Sequence, residues 1–179
     1  MIHISEIMTE APMESRTKTE KEVLTLLKKL KIDYQLVDND VVESMEECEE
    51  VDQALGVEIR KSIFLCNKKK TSFFLVVLPA AKSLDTGLLC KKIGIPNLSF
   101  ASANYMEEYL GAKPGSACVM GLVNDVDDYV QLIMDKEVAE AEWFGCNTGI
   151  NTSHLKIKTS DMLNKFLPQI RHKAKVIEL

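Results

Sequence analysis

The residues able to do chemistry in this sequence are few and scattered. Histidines stand only at His3, His154 and His172, with no second histidine close to any of them. The five cysteines, Cys48, Cys66, Cys90, Cys118 and Cys146, are odd in number and at least 18 residues apart, with no CxxC pair. A zinc site has no ordinary spacing to rest on, and the thiols read as reduced, mostly buried side chains of a reducing cytosol. The sequence holds no GxxxxGK[ST] phosphate loop, no GxGxxG, no GxSxG and no HExxH. A lone histidine is more often a surface residue or a satisfied core residue than a catalyst. On residue types alone, the chain offers no nucleophile–base pair, metal cluster or phosphate cradle.

The bulk numbers narrow the setting. The 179 residues lie in the size range of one domain, and 46% of them are hydrophobic, enough for one sizeable core. No apolar run approaches the ~20 residues of a membrane helix, and the start Met1-Ile2-His3-Ile4 does not read as a signal peptide. A cytoplasmic protein is expected, with no membrane partner. Net charge is -5, but residues 1–60 hold 7 Lys+Arg against 15 Asp+Glu, and residues 61–179 hold 15 against 12. An acidic front thus precedes a mildly basic remainder, which is the part able to meet phosphates.

The elements that would position these residues follow from periodicity. Residues 1–16 lack a pattern and read as a loose arm. Thr19-Glu20-Lys21-Glu22 matches a capping box, and Val23, Leu24, Leu26, Leu27 and Leu30 follow at helical spacing. Ile32 to Val37 reads as a strand and residues 43–55 as a second helix. Ile63–Cys66 and Phe73–Leu78 are strands joined by the polar link Asn67-Lys68-Lys69-Lys70, and the unbroken apolar run of the second suits a strand covered on both faces. Asp85 caps a helix ending at Gly94, and Ser102 caps one ending at Leu110-Gly111. Leu98–Phe100, Cys118–Val123, Tyr129–Met134, Leu155–Ile157 and Val176-Ile177 are strand candidates. Residues 136–144 read as helical, and Ser160 as the cap of a last helix. Strands and helices interleave without a long regular period, so the expected fold is one α+β domain over residues 1–179.

A further signal lies in the order of several short segments. Lys61-Ser62-Ile63-Phe64-Leu65-Cys66-Asn67-Lys68-Lys69 runs on to Phe73–Pro79. Leu84-Asp85, Leu98-Ser99-Phe100-Ala101-Ser102, Leu110–Ser116, Gly121–Asp125 and Asn151-Thr152 follow. Each is weak alone. Together, over some 100 residues, the series resembles the ProX/YbaK family of prolyl-tRNA editing domains, and its Leu-Ser-Phe-Ala-Ser and Pro-Gly-Ser pieces resemble the alanine-editing ProX branch. The resemblance implies an α+β fold with a central mixed sheet or barrel flanked by helices. It implies hydrolysis of a mischarged tRNA-Pro, Ala-tRNA-Pro first, with no metal, no cofactor and no protein nucleophile. The enzyme would position a water and the substrate's 2′-hydroxyl. Cys-tRNA-Pro or another small-residue aminoacyl-tRNA is the alternative substrate, and a tRNA-binding homologue without turnover is the alternative of another class. Expected partners are the aminoacylated tRNA and prolyl-tRNA synthetase.

The same resemblance assigns residues. Lys61 matches the family lysine beside the active site, and Gly115 opens the family's G-x-x-x-P loop, whose backbone faces the aminoacyl end. Lys61 and Gly115 are the catalytic candidates. Ser62, Ile63, Leu65, Ser116, Ala117, Cys118, Leu122 and Asn147 are the candidates for substrate binding. The loop's last residue is Val119 where the family has proline, and Asn147-Thr148 replaces a His-Pro pair. Asparagine can donate and accept hydrogen bonds but is no acid or base near neutral pH.

Lys68, Lys69 and Lys70 are the leading candidates for contacts with tRNA phosphates. Replacing all three by alanine is expected to weaken tRNA binding and to flatten its salt dependence, measured as affinity against ionic strength. Unchanged affinity and slope would reduce the run to a solvated hairpin tip.

Overall fold

The computed structural model describes residues 1–179, the side chain of Met45 excepted. Strands β1 (Tyr34–Asp38), β6 (Trp143–Asn147) and β7 (Ser153–Lys158) form an antiparallel sheet in the order β1-β7-β6. A second sheet has the order β4-β2-β3-β5-β8, from β2 (Lys61–Asn67), β3 (Phe73–Leu78), β4 (Leu98–Phe100), β5 (Val130–Asp135) and β8 (Ala174–Ile177). It is mixed: β3 pairs antiparallel with β2 and parallel with β5. The fold is α+β, and its sheets stay open rather than closing into the barrel that was the other expectation. Helices α1 (Lys18–Lys29), α2 (Met45–Leu55), α3 (Thr86–Ile93), α4 (Ala103–Leu110) and α5 (Lys136–Glu140) pack around the sheets.

Both faces of β3 are covered, as its unbroken apolar run requires. Phe73, Leu75 and Val77 enter the main core with α1, α4 and the first sheet's Leu36, Phe144 and Leu155. Phe74, Val76 and Leu78 enter a second core beneath Leu89 of α3. Helix α3 is bounded by local chemistry alone: Asp85 accepts from Leu88 N–H at 2.9 Å, and Gly94 closes it with φ +72°.

Five local expectations are corrected. The capping box of α1 sits two residues earlier, with Thr17 at the cap and Glu20 three residues on. Tertiary contacts choose between the overlapping patterns. Arg16 holds Asp38 of β1 through two bonds at 2.6 and 2.8 Å and reaches Glu20 at 3.2 Å, while Glu22 stays exposed. Burial opposes the Arg16 charge, but the bonds to Asp38 and Glu20 outweigh it and raise its pKa. The first 16 residues are therefore no loose arm. Ser5 N–H donates to Asp38, and Met8 and Leu36 exchange both backbone hydrogen bonds.

The apolar run Cys118–Val123 is not a strand. Val119–Asn124 forms a 3-10 turn, tight against α4, where a Cβ on Gly121 would lie 2.7 Å from the Leu110 carbonyl. Short buried runs do not reveal their period, so sequence alone could not separate the two. Residues 136–144 divide: α5 ends at Glu140, Ala141 turns extended, and Trp143 begins β6. Ser160 lies inside the last helix, which begins at Thr159 after Lys158 and includes a π turn over Met162–Phe166.

The two sheets meet at Gly145. Ile59 forms a parallel bridge with it, and Arg60 N–H donates to its carbonyl at 2.9 Å. A Cβ on Gly145 would fall 2.8 Å from the Glu58 carbonyl and 2.9 Å from Val57 Cγ1, closer than side chains tolerate.

On the opposite side of the fold, His172 ties the end of the last helix to the loop before β5. Its Nδ1 contacts the Ile170 carbonyl at 2.7 Å and its Nε2 meets Asp125 at 3.0 Å. Asp125 also accepts from Tyr129 and Val130 N–H. Burial works against the His172 charge, but the Asp125 bond, the Ile170 carbonyl and the charges of Asp125 and Asp128 outweigh it and raise the pKa. For Asp125, burial pushes up, while the bonds from His172, Val130 and Tyr129 bring the pKa below its usual value. A raised histidine pKa stabilises fully below the unfolded value of 6.5 and loses that contribution as pH rises through the folded one. The depressed Asp125 stabilises above its unfolded value of 3.8 and loses its contribution as pH falls through the folded one. His172→Gln is expected to cost about 1–3 kcal/mol at pH 6. Thermal melts should show its deficit shrinking by pH 9, and an equal deficit at both pH values would mean the imidazole is neutral.

Candidate active site

Where the sheets meet, a cleft of about 550 Å³ opens. The start of β2 supplies Lys61, Ser62 and Ile63. The loop before the 3-10 turn supplies Gly115 and Ala117, and the facing strands β6 and β7 supply Asn147 and His154. Helix α2 lends a wall through Cys48, Glu49 and Asp52. Ala80, Ala81 and Ala101 keep part of the lining small and apolar.

The Gly115 loop is a turn fixed by its own residues. Ser116 N–H donates to the Lys113 carbonyl at 2.9 Å, Pro114 holds the first central position, and Gly115 holds the second with φ +90°. That is the type II arrangement, in which the second central residue needs positive φ. A Cβ at Gly115 would meet nothing within 4 Å. The glycine is demanded by the backbone angle, and the space beside it belongs to the open cleft.

The lining carries both signs of charge. Glu49 and Asp52 come from α2, Glu58 from the segment before β2, and Arg60 and Lys61 from where β2 begins. Burial, helped by the charges of Glu58 and Glu49, pushes the Asp52 carboxyl up against its bond from Ile59 N–H at 2.8 Å and the nearby Arg60 charge. Arg60 pairs with Glu58, and its buried Nε has no partner among the described residues. Asn147 Oδ1 accepts from Gly149 N–H at 2.8 Å, an Asx turn that orients the amide. His154 is buried, and Nδ1 lies 2.8 Å from Asn39 Oδ1. Burial lowers its pKa to about 4, so the ring is neutral near pH 7.

Of the residues singled out in the sequence, the structure brings Lys61, Ser62, Ile63, Gly115, Ala117 and Asn147 around one cleft. Four substrate-binding candidates lie outside its lining. Leu122 is fully buried in the main core. Leu65 packs beneath α3 and borders a neighbouring groove shared with Lys61 and Ile63. Ser116 is buried in the turn. Cys118 is buried against Cys146, whose thiol is pushed up by burial and by that contact. Lys68, Lys69 and Lys70 are exposed at the tip of the β2–β3 hairpin, beyond the far end of β2, which runs about 20 Å from Lys61 to Asn67. The sequence reading missed Arg60, the acidic wall of α2 and the part His154 plays in the cleft. Only the acidic composition of residues 43–52 signalled that wall. Nothing local marked His154, whose partner Asn39 is 115 residues away.

This architecture is shared. The family model of the aminoacyl-tRNA editing domain matches residues 42–165, which hold every cleft residue named above. The chain is 31% identical over 157 residues to the prolyl-tRNA editing protein ProX of Acetoanaerobium sticklandii, covering 88% of this chain and 95% of the relative. It is 27% identical to the prolyl-tRNA synthetase associated domain-containing protein 1 of Danio rerio, covering 90% and 86%. Among solved structures, a candidate trans-editing enzyme for prolyl tRNA synthetase superposes with a TM-score of 0.68 at 18% identity, covering 92% of this chain and 98% of the other, a likeness of fold. The chain belongs to the aminoacyl-tRNA editing domain family. Its reaction is that of the class, hydrolysis of an aminoacyl-tRNA ester. No described helix is long and apolar enough to cross a membrane.

Proposed function

We propose that the chain is a trans-editing hydrolase that removes alanine from mischarged tRNA-Pro, working beside prolyl-tRNA synthetase. The observation that carries this reading is the meeting of Lys61, the Gly115 turn and Asn147 around one cleft, in a chain 31% identical to a prolyl-tRNA editing protein. A synthetase pocket shaped for proline cannot strongly reject the smaller alanine, because each missing methylene is worth only about 1–3 kcal/mol. A second site that admits the smaller residue supplies the remaining discrimination. The small lining residues Ala80, Ala81, Ala101 and Ala117 suit such a chamber.

The chemistry asks little of the protein beyond placement. Water oxygen bonds to the ester carbonyl carbon, the carbon–oxygen bond to the ribose breaks, and a water proton ends on the ribose oxygen. Lys61 stands at the first position of β2, where its half-buried side chain is placed to bring its ammonium to the phosphate or ribose of the terminal adenosine. The open backbone at Gly115 receives the aminoacyl end. Holding ester and water in register supplies a large part of the rate.

Purified protein is expected to deacylate Ala-tRNA-Pro while sparing Pro-tRNA-Pro, with Cys-tRNA-Pro in parallel to test the alternative substrate. Lys61→Ala should slow the reaction at least tenfold, about 1.4 kcal/mol of transition-state stabilisation. Lys61→Arg should recover part of the loss if charge is what matters. Tight tRNA binding without hydrolysis of any mischarged species would overturn the assignment in favour of a binding protein. A wild-type rate in Lys61→Ala would remove the lysine from the mechanism.

A further inference from the structure

We infer that His154 and Asn147 form a donor–acceptor pair that holds one hydroxyl-type oxygen, the hydrolytic water or the 2′-hydroxyl of the terminal ribose, against the ester. The inference rests on the editing reaction proposed above and assigns this chain's own residues within it.

The two residues are direct partners in the β6–β7 ladder, so their side chains leave the same face of the sheet with Cβ atoms about 4.5–5.5 Å apart. Both line the cleft. Their hydrogen bonds fix what each presents. Asn39 commits its Nδ2 to the carbonyls of Asp40 at 2.7 Å and Asn151 at 3.1 Å. Its Oδ1 therefore faces His154, and a carbonyl oxygen can only accept, so the imidazole Nδ1 must carry the proton. In the neutral ring, Nε2 is then a bare lone pair. It has no hydrogen-bond partner among the described residues, and the residue that carries it lines the cleft, from which a partner would come. Asn147 is oriented in the same way. Its Oδ1 is taken by Gly149 N–H, which leaves the Nδ2 donors free.

The pair thus offers one acceptor and one donor side by side. An ammonium group would need acceptors only, and a phosphate or carboxylate donors only. A water or a hydroxyl both gives and takes a hydrogen bond through one oxygen, and so satisfies both sides at a single atom. The ester carbonyl cannot occupy the place, because it has no proton for Nε2. His154 acts as a positioning residue: it accepts a hydrogen bond, and no proton is lodged on it during turnover. The ring's neutrality near pH 7 keeps the acceptor available where the reaction runs.

The test is single-turnover deacylation of Ala-tRNA-Pro by wild type, His154→Phe and His154→Gln, on tRNA ending in adenosine or 2′-deoxyadenosine. Melting curves report whether each variant folds. His154→Phe removes the acceptor and is expected to lower the maximal rate at least tenfold, with little change in KM. His154→Gln returns an oxygen near the position of Nε2 and should recover part of that loss. On the 2′-deoxy substrate, a His154→Phe loss that vanishes identifies the ribose hydroxyl as the bound group, and one that persists in full identifies water. A wild-type rate in folded His154→Phe, or a folded Gln variant no better than Phe, overturns the inference. Nitrogen-15 spectra of the imidazole provide a measurement independent of activity. Nδ1 should be protonated and Nε2 bare in the free protein, and the reverse tautomer overturns the pair. If the wild type spares every mischarged tRNA-Pro, the editing reading fails, and those spectra still decide the arrangement of His154 and Asn147.

Discussion

The cleft exists because one residue on β6 has no side chain. Gly145 lets the Glu58–Arg60 segment lie against β6, close enough for a backbone bridge, and that bridge holds the edge of one sheet to the start of a strand in the other. Every cleft residue on β2 is placed by this approach, since Lys61 is the next residue after Arg60. On the other side of the bridge, Asn147 follows Gly145 by two positions and therefore leaves the same face of the strand. A methyl group at 145 would push the two walls apart: the side-chain ends of Val57 and Ile59 could shift, but the Glu58 carbonyl belongs to the backbone of the bridging segment and could not move without it.

Given that junction, the residues around the cleft divide the work without any one of them being a strong reagent. Arg60 and Lys61 bring positive charge to the start of β2, and α2 adds carboxylates to the same lining. Asp52 is less acidic than usual because it is partly buried among Glu49 and Glu58. The histidine in the site is neutral and fixed in one tautomer by Asn39. Fixed dipoles and charges of this kind need no reorganisation when an ester reacts, so they can accelerate hydrolysis by placement and electrostatics.

What the sequence disclosed and what it hid follow one physical division. Features set by neighbours in the chain were legible: the apolar run of β3, the polar hairpin link, the Asp85 cap with Gly94, and the Pro114-Gly115 turn. Features set by distant contacts were not. Two overlapping capping patterns at the start of α1 differ in which glutamate is reached by Arg16, itself held by Asp38. The run from Cys118 has strand composition but is folded tight by the approach of Gly121 to α4. β6 is five residues long and contains glycine, so neither propensity nor period announced it. At the site, order along the chain located Lys61, the Gly115 turn and Asn147. Leu65 and Leu122 lie outside the lining of that cleft, since an apolar side chain looks the same in sequence whether it enters a core or a pocket wall. His154 could be weighed only once the pairing of β7 with both β1 and β6 was known.

The tethered first residues have a consequence for the molecule among its own copies. β1 is the outer strand of its sheet, and such an edge presents a row of unpaired backbone groups on which another chain could template itself. Ser5 and Met8 take up those groups at Asp38 and Leu36, and the guanidinium of Arg16 clamps the segment to Asp38 beyond them. At the far side of the other sheet, β4 is only three residues long and gives little to copy. A stretch with no periodicity of its own thus works as a fender, keeping a crowded solution of these molecules from zipping together strand by strand.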